Sequence, residues 1–108
     1  MKPVALTLSD ASAGALYSSV IAVDFHLNPT TIAIQALVVG VVNYTVQYTF
    51  DAVFAAGYLA ASGNWTDHPQ LAGQTITADS NIAFPVTGIR LKQSSGAGST
   101  RITVIQAG

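Results

Sequence analysis

The chain has 108 residues, enough for one domain with a single hydrophobic core. Half of it is hydrophobic and only 8% is charged, as five Asp, no Glu, two Lys and two Arg, whereas an average soluble domain carries roughly 25% charged residues. Those totals exclude a nucleic-acid grip built on clustered cations and, with no Cys, a disulfide or thiolate–metal framework; the longest apolar run, Ile32 to Val42, is about half of the ~20 residues that a membrane helix needs.

The elements follow in chain order. Val4, Leu6 and Leu8 alternate with small or polar residues, the period of a strand. Asp10 to Tyr17 is the one helical window, and its Ala and Gly content predicts a loop or a single turn. Ser19 to Leu27 puts Val23, Phe25 and Leu27 on one face, opposite Asp24 and His26. After the turn at Asn28-Pro29, Thr30 to Val39 is rich in β-branched residues, and Gly40 marks a bend.

The clearest pattern is Val42 to Asp51. Val42, Tyr44, Val46, Tyr48 and Phe50 alternate with Asn43, Thr45, Gln47, Thr49 and Asp51, which predicts a half-buried strand with a neutral polar face. Ala52 to Gly73 is long for a connection and holds Tyr58, Leu59, Trp65 and His68. Gln74 to Ala78 is a short strand candidate. Ile82 to Lys92 changes phase between Val86 and Ile89, which a bulge at Thr87-Gly88 would repair. Ser94 to Ser99 predicts the turn of a hairpin leading into a last strand, Thr100 to Gln106.

Together these predict an all-β fold: one antiparallel β-sandwich over residues 1–108, with about seven to eight strands. No catalytic constellation stands out. Asp24 and His26 share a strand face, but zinc wants three or four ligands, and outward-facing polar residues account for the pair. No Gly-x-Ser-x-Gly elbow is present, and Gly96-x-Gly98 lacks the third Gly of a phosphate cradle. Asp51 and Arg90 are candidates for a structural ion pair. Arg90, Lys92 and Arg101 are too few for a polyanion site. The start, Met1-Lys2-Pro3-Val4, lacks a secretory pattern, so the sequons at Asn43 and Asn64 are expected to be idle. The expectation is a protein that is not an enzyme and uses no cofactor or metal.

Low charge on a small domain gives weak repulsion between copies, so the surface is expected to be covered by other molecules. The interface residues singled out are Tyr58, Leu59, Trp65 and His68, because aromatic loops of this kind anchor contacts. The same loop also suits a carbohydrate platform, with Trp65, Tyr58 and His68 stacking and Asp67 bonding hydroxyls.

Four segments carry a resemblance: Val42 to Asp51, Trp65-Thr66-Asp67-His68, Pro85 to Leu91, and Ile102 to Gly108. In order and spacing, over about the last two-thirds of the chain, they resemble small virion proteins of tailed bacteriophages. The chain is most similar in size and β character to capsid decoration, or cement, proteins. That resemblance implies a jelly-roll-like sandwich and a place on the capsid exterior after synthesis in the host cytoplasm. It also implies contact with the major capsid protein, and dimers or trimers that bridge capsomers. A tail or head–tail component is the alternative within the same particle.

Overall fold

Nine short strands carry the alternation into three dimensions. A computed structural model describes residues 4–22, 31–51, 53, 58–59, 63–82 and 86–107. Its strands are β1 (Val4–Ser9), β2 (Leu16–Tyr17), β3 (Ile21–Ala22), β4 (Thr31–Val39), β5 (Asn43–Thr49), β6 (Trp65–Asp67), β7 (Ala78–Ile82), β8 (Gly88–Ser95) and β9 (Ser99–Ala107). Among the described residues there is no helix, and every strand pairing is antiparallel.

The strands form two sheets, one in the order β1-β9-β4-β7 and the other in the order β2-β8-β5-β6, with β3 also on β8. The two orders match column by column. β1 runs on into β2, β8 into β9, β4 into β5 and β6 into β7. The molecule is therefore one antiparallel sheet, four strands wide, folded in half. The register shows this directly. β4 pairs with β9 from Thr31↔Ala107 to Val39↔Ser99, and β5 resumes against β8 at Asn43↔Ser95. Each strand of this central ribbon uses three residues, 40–42 and 96–98, to pass from one layer to the other. A bulge between Asn43 and Tyr44 then shifts the register, as expected where strands switch layers.

The crossing is built from glycine. Gly96 has φ +100°, and a Cβ there would run into the Val41 carbonyl oxygen and come within 2.7 Å of the Val42 Cα. At Gly40, φ +82°, a Cβ would lie 3.1 Å from the Gly98 Cα. Backbone hydrogen bonds lock the crossing: Gly98 N–H donates to Val41 O at 2.9 Å, Asp10 N–H to Gly98 O at 3.0 Å, and Ala11 N–H to Gly96 O at 2.8 Å. From inside, the Gln93 side-chain amide donates to Gly98 O at 2.9 Å and to Gly96 O at 3.2 Å.

The core fills the fold. Ile32, Ile34 and Ala36 of β4 and Ile102 and Val104 of β9 face Tyr44 and Val46 of β5 and Ile89 and Leu91 of β8. Burying each Ile or Leu contributes roughly 1.5–3 kcal/mol. Tyr44 is fully buried and its hydroxyl donates to Ile76 O at 2.8 Å; burial first, and Asp79 second, push its pKa above the ordinary tyrosine value.

Several expectations are corrected. Among the described residues the strands number nine, because Leu16–Tyr17, expected as loop or a single turn, pairs with β8, and Trp65–Asp67, expected within the long connection, pairs with β5, both too short for periodicity to register. Ser94 to Ser99 is no hairpin turn: β8 and β9 belong to different layers, and the Gly-rich segment is the crossing between them. The phase change in Ile82 to Lys92 is likewise a change of layer between β7 and β8. The polar face of β5 is covered, with Thr45, Gln47 and Thr49 all buried, because β5 is an interior strand. Gln74 makes an isolated bridge to Tyr44, and the strand begins later, at Ala78. Most of Ser19 to Leu27 beyond Ala22, including Asp24 and His26, lies outside the described residues.

Gly96→Ala is expected to lower the unfolding free energy by about 2–4 kcal/mol, since the methyl group has no space and the φ is unfavourable. Gly14, φ +142°, faces open space, so Gly14→Ala is expected to cost about 1 kcal/mol from backbone conformation alone. Urea titration of the two variants measures the difference.

Candidate functional site

Among the described residues, two outward faces, one loop cluster and the exposed folded end can meet other molecules. The outward face of the β2-β8-β5-β6 layer collects most of the polar and aromatic side chains. Cross-strand register brings Arg90, Gln47 and Asp67 into one row. Arg90 Nε–H donates to Gln47 Oε1 at 2.7 Å, and the Gln47 amide donates to Asp67 Oδ1 at 2.8 Å. The Arg90 guanidinium lies 4.5 Å from the centre of the Tyr17 ring and 4.3 Å from that of Trp65. A cation between two ring faces gains roughly 0.5–2 kcal/mol per contact, more as water is excluded. Burial pulls the Arg90 pKa below the ordinary arginine value, against the opposing pull of Tyr17, Tyr58 and Asp67. Lys92 Nζ sits 5.7 Å from the Tyr17 ring.

The loop cluster lies beyond the end of β5. The Asp51 carboxylate accepts the Asn64 N–H at 2.8 Å and the Tyr58 hydroxyl at 3.2 Å. The hydrogen bond from the Asn64 backbone is the main cause that holds the Asp51 pKa below its usual value. Burial, then Asp51, pushes the Tyr58 hydroxyl up. A Cβ on Gly63 would meet the Tyr58 hydroxyl, Asp51 Oδ2 at 2.9 Å and Trp65 Nε1 at 3.0 Å, so three polar groups converge over this one glycine.

The four residues singled out from the sequence fall into different roles. Leu59 is 68% exposed. Tyr58 and Trp65 are half-buried and meet over Gly63. His68 is 4% exposed and works inside the fold: Nε2–H donates to Asn81 O at 2.9 Å, while Nδ1 accepts the Gln70 N–H at 3.2 Å. These contacts fix the neutral Nε2–H tautomer and tie the β6–β7 crossing to β7. His68 is thus a structural residue in the folded chain, and a stacking platform of Trp65, Tyr58 and His68 is not assembled. Sequence reasoning missed Tyr17 as the second ring on Arg90. The signal was the alternation of Arg90 and Lys92, but their neighbours come from a strand more than seventy positions away.

The outward face of the β1-β9-β4-β7 layer is different. Its strands present Ala5 and Thr7, then Arg101, Thr103 and Ile105, then Ala33, Gln35 and Leu37, then Asp79 and Asn81. Arg101 and Asp79 are its two charges among the described residues. An open hollow of about 250 Å³ lies between Ala33, Gln35, Asp79, Thr103 and Ile105. At the folded end of the molecule, Val39, Val41 and Ile76 are exposed, Val41 to 80%.

Asp51→Asn is expected to flatten the acid limb of the stability curve. The folded pKa of Asp51 lies below 3.8, so its stabilisation is present above the unfolded value and is lost as pH falls through the folded one. Urea midpoints at neutral pH and near pH 3 are expected to differ less in the variant than in the parent chain.

No protein-family model matches the sequence, and no curated protein matches it either.

Proposed function

We propose that the chain is a structural virion protein of a tailed bacteriophage. In this reading it is a decoration or cement protein on the outside of the major capsid shell, where it stabilises contacts between capsomers. The observation that carries the reading is the outward face of the β1-β9-β4-β7 layer. The 29 residues of the four strands, each covering ~4.8 Å by ~3.4 Å, give a face on the order of 500 Å². Apart from Arg101 and Asp79 its described outward side chains are neutral, with Ala, Thr, Leu and Ile beside the amides of Gln35 and Asn81, so the desolvation cost is confined to a few groups. The exposed Val39, Val41 and Ile76 add apolar area at the folded end.

The size of this face favours a repeated particle over a solitary complex. A stable pairwise interface buries about 800 Å² on each side, so one such face alone makes a weak contact. Many copies on one shell turn weak contacts into a lasting coat. The resemblance of Val42 to Asp51, Pro85 to Leu91 and Ile102 to Gly108 to small phage virion proteins points the same way. A sheet folded over itself also supports a jelly-roll-like description, since jelly rolls are wrapped antiparallel ribbons. The proposal involves no catalysis and no cofactor.

A carbohydrate-binding role is the second reading, favoured by the exposed half of Tyr17 beside Lys92. It is the weaker one, because Arg90 occupies one face of both Tyr17 and Trp65.

Mixing the purified chain with capsid shells that lack it is expected to give saturable co-sedimentation and a higher shell melting temperature. Shells that neither bind the chain nor gain stability from it would overturn the proposal. A glycan that quenches Trp65 fluorescence with saturation would favour the second reading.

A further inference from the structure

The two charges on the neutral face stand on opposite sides of β4. Arg101, on β9, is opposite Leu37, and Asp79, on β7, is opposite Gln35. Leu37 and Gln35 are successive outward residues of one strand, so the midpoint of their step is also the midpoint between the two charges. Strand spacing of ~4.8 Å and ~6.8 Å between successive residues of one face place the charges about 12 Å apart. Both side chains stand off the same face with Leu37 and Gln35 between them, and no ion pair joins them.

We infer that this face is closed by a second copy of the same chain. The two copies pack face to face about a two-fold axis that passes over the Gln35–Leu37 step of β4, so that Arg101 of each meets Asp79 of the other. The argument is one of self-complementarity. A two-fold axis lying in the interface, perpendicular to the line joining the charges, exchanges their positions. Cation then falls on anion twice, with no other partner required. Facing sheets pack about 10 Å apart, a gap that extended Arg and Asp side chains span together. Leu37 and Ile105, both exposed, supply apolar contact, and the small Ala33 and Thr103 let the backbones approach. The pair of faces buries on the order of 1,000 Å², below the ~1,200 Å² at which standard interfaces begin, so the dimer is expected to be weak and to depend on concentration.

The inference rests on the reading of this face as a buried contact and gives it a different occupant, so a dimer closed here would meet a shell through the exposed Val39, Val41 and Ile76 at the folded end. Its test needs no capsid, so the dimer and the virion role fail separately. Sedimentation velocity of the full chain across the micromolar range is expected to show a monomer–dimer equilibrium. Arg101→Asp and Asp79→Arg are each expected to weaken the dimer at least tenfold, by placing like charges together twice. An equimolar mixture of the two variants is expected to restore a dimer, now mixed, in which every pair is again opposite. Circular dichroism checks that the variants fold. If either does not, Arg101→Gln and Asp79→Asn replace them, each expected to weaken the dimer without abolishing it. A monomer at all concentrations, or a mixture that fails to re-associate, would overturn the inference. So would a dimer indifferent to every substitution, which would point to edge pairing through a strand such as β1.

Discussion

The hydrogen bond from Gly98 to Val41, with the missing side chains around it, is what the rest of this molecule depends on. At that point two strands cross from one layer to the other with their backbones almost touching. A side chain at Gly96 would hold them apart, and the layers would lose the shared register that continues from Val39↔Ser99 to Asn43↔Ser95. The crossing also receives Asp10 and Ala11 from the neighbouring column and the Gln93 amide from below. Its polar groups are bonded on several sides, which a buried backbone requires. Gln93 Oε1 and Thr100 Oγ1 are buried side-chain oxygens without a hydrogen-bond partner among the described residues.

The two outward faces follow from this single fold. Each strand alternates, so the half of its residues that does not enter the core is displayed on one side or the other. On the β2-β8-β5-β6 side, those residues are Arg90, Gln47, Asp67, Tyr17 and Trp65, and they are engaged with one another. This face stiffens the layer and hides its polar atoms. On the β1-β9-β4-β7 side, the outward residues are mostly neutral, and among the described residues they form no such network. The proposed use of the second face as a contact rests on this contrast.

Much of the fold was legible because period-two alternation survives in the sequence. Ile32, Ile34 and Ala36, Tyr44 and Val46, and Ile102 and Val104 are all core residues on the predicted side of their strands. What the alternation does not encode is which layer a strand belongs to. Ser94 to Ser99 has the composition of a hairpin turn, and only the pairing partners of β8 and β9 distinguish a turn from a crossing. The candidate site was legible in part. Trp65, Tyr58 and Leu59 lie at or near the surface, but His68, beside a proline in a long connection, gave no sign that both its ring nitrogens would be used internally. The Tyr17–Arg90–Trp65 stack joins three strands distant in sequence, and single-strand patterns carry no information about it.

The position of β9 has a consequence for how the chain comes into being. Ser99–Ala107 is the last strand described, yet it is interior, pairing β1 on one side and β4 on the other. Until those nine residues have left the ribosome, β1 and β4 have no common neighbour and each presents an open edge. This half of the molecule therefore assembles only once β9 has been made, through contacts between strands far apart in sequence, and the loop-closure entropy of that encounter falls on this late step. Until then the nascent chain carries apolar strands whose natural neighbour, β9, has not yet been made.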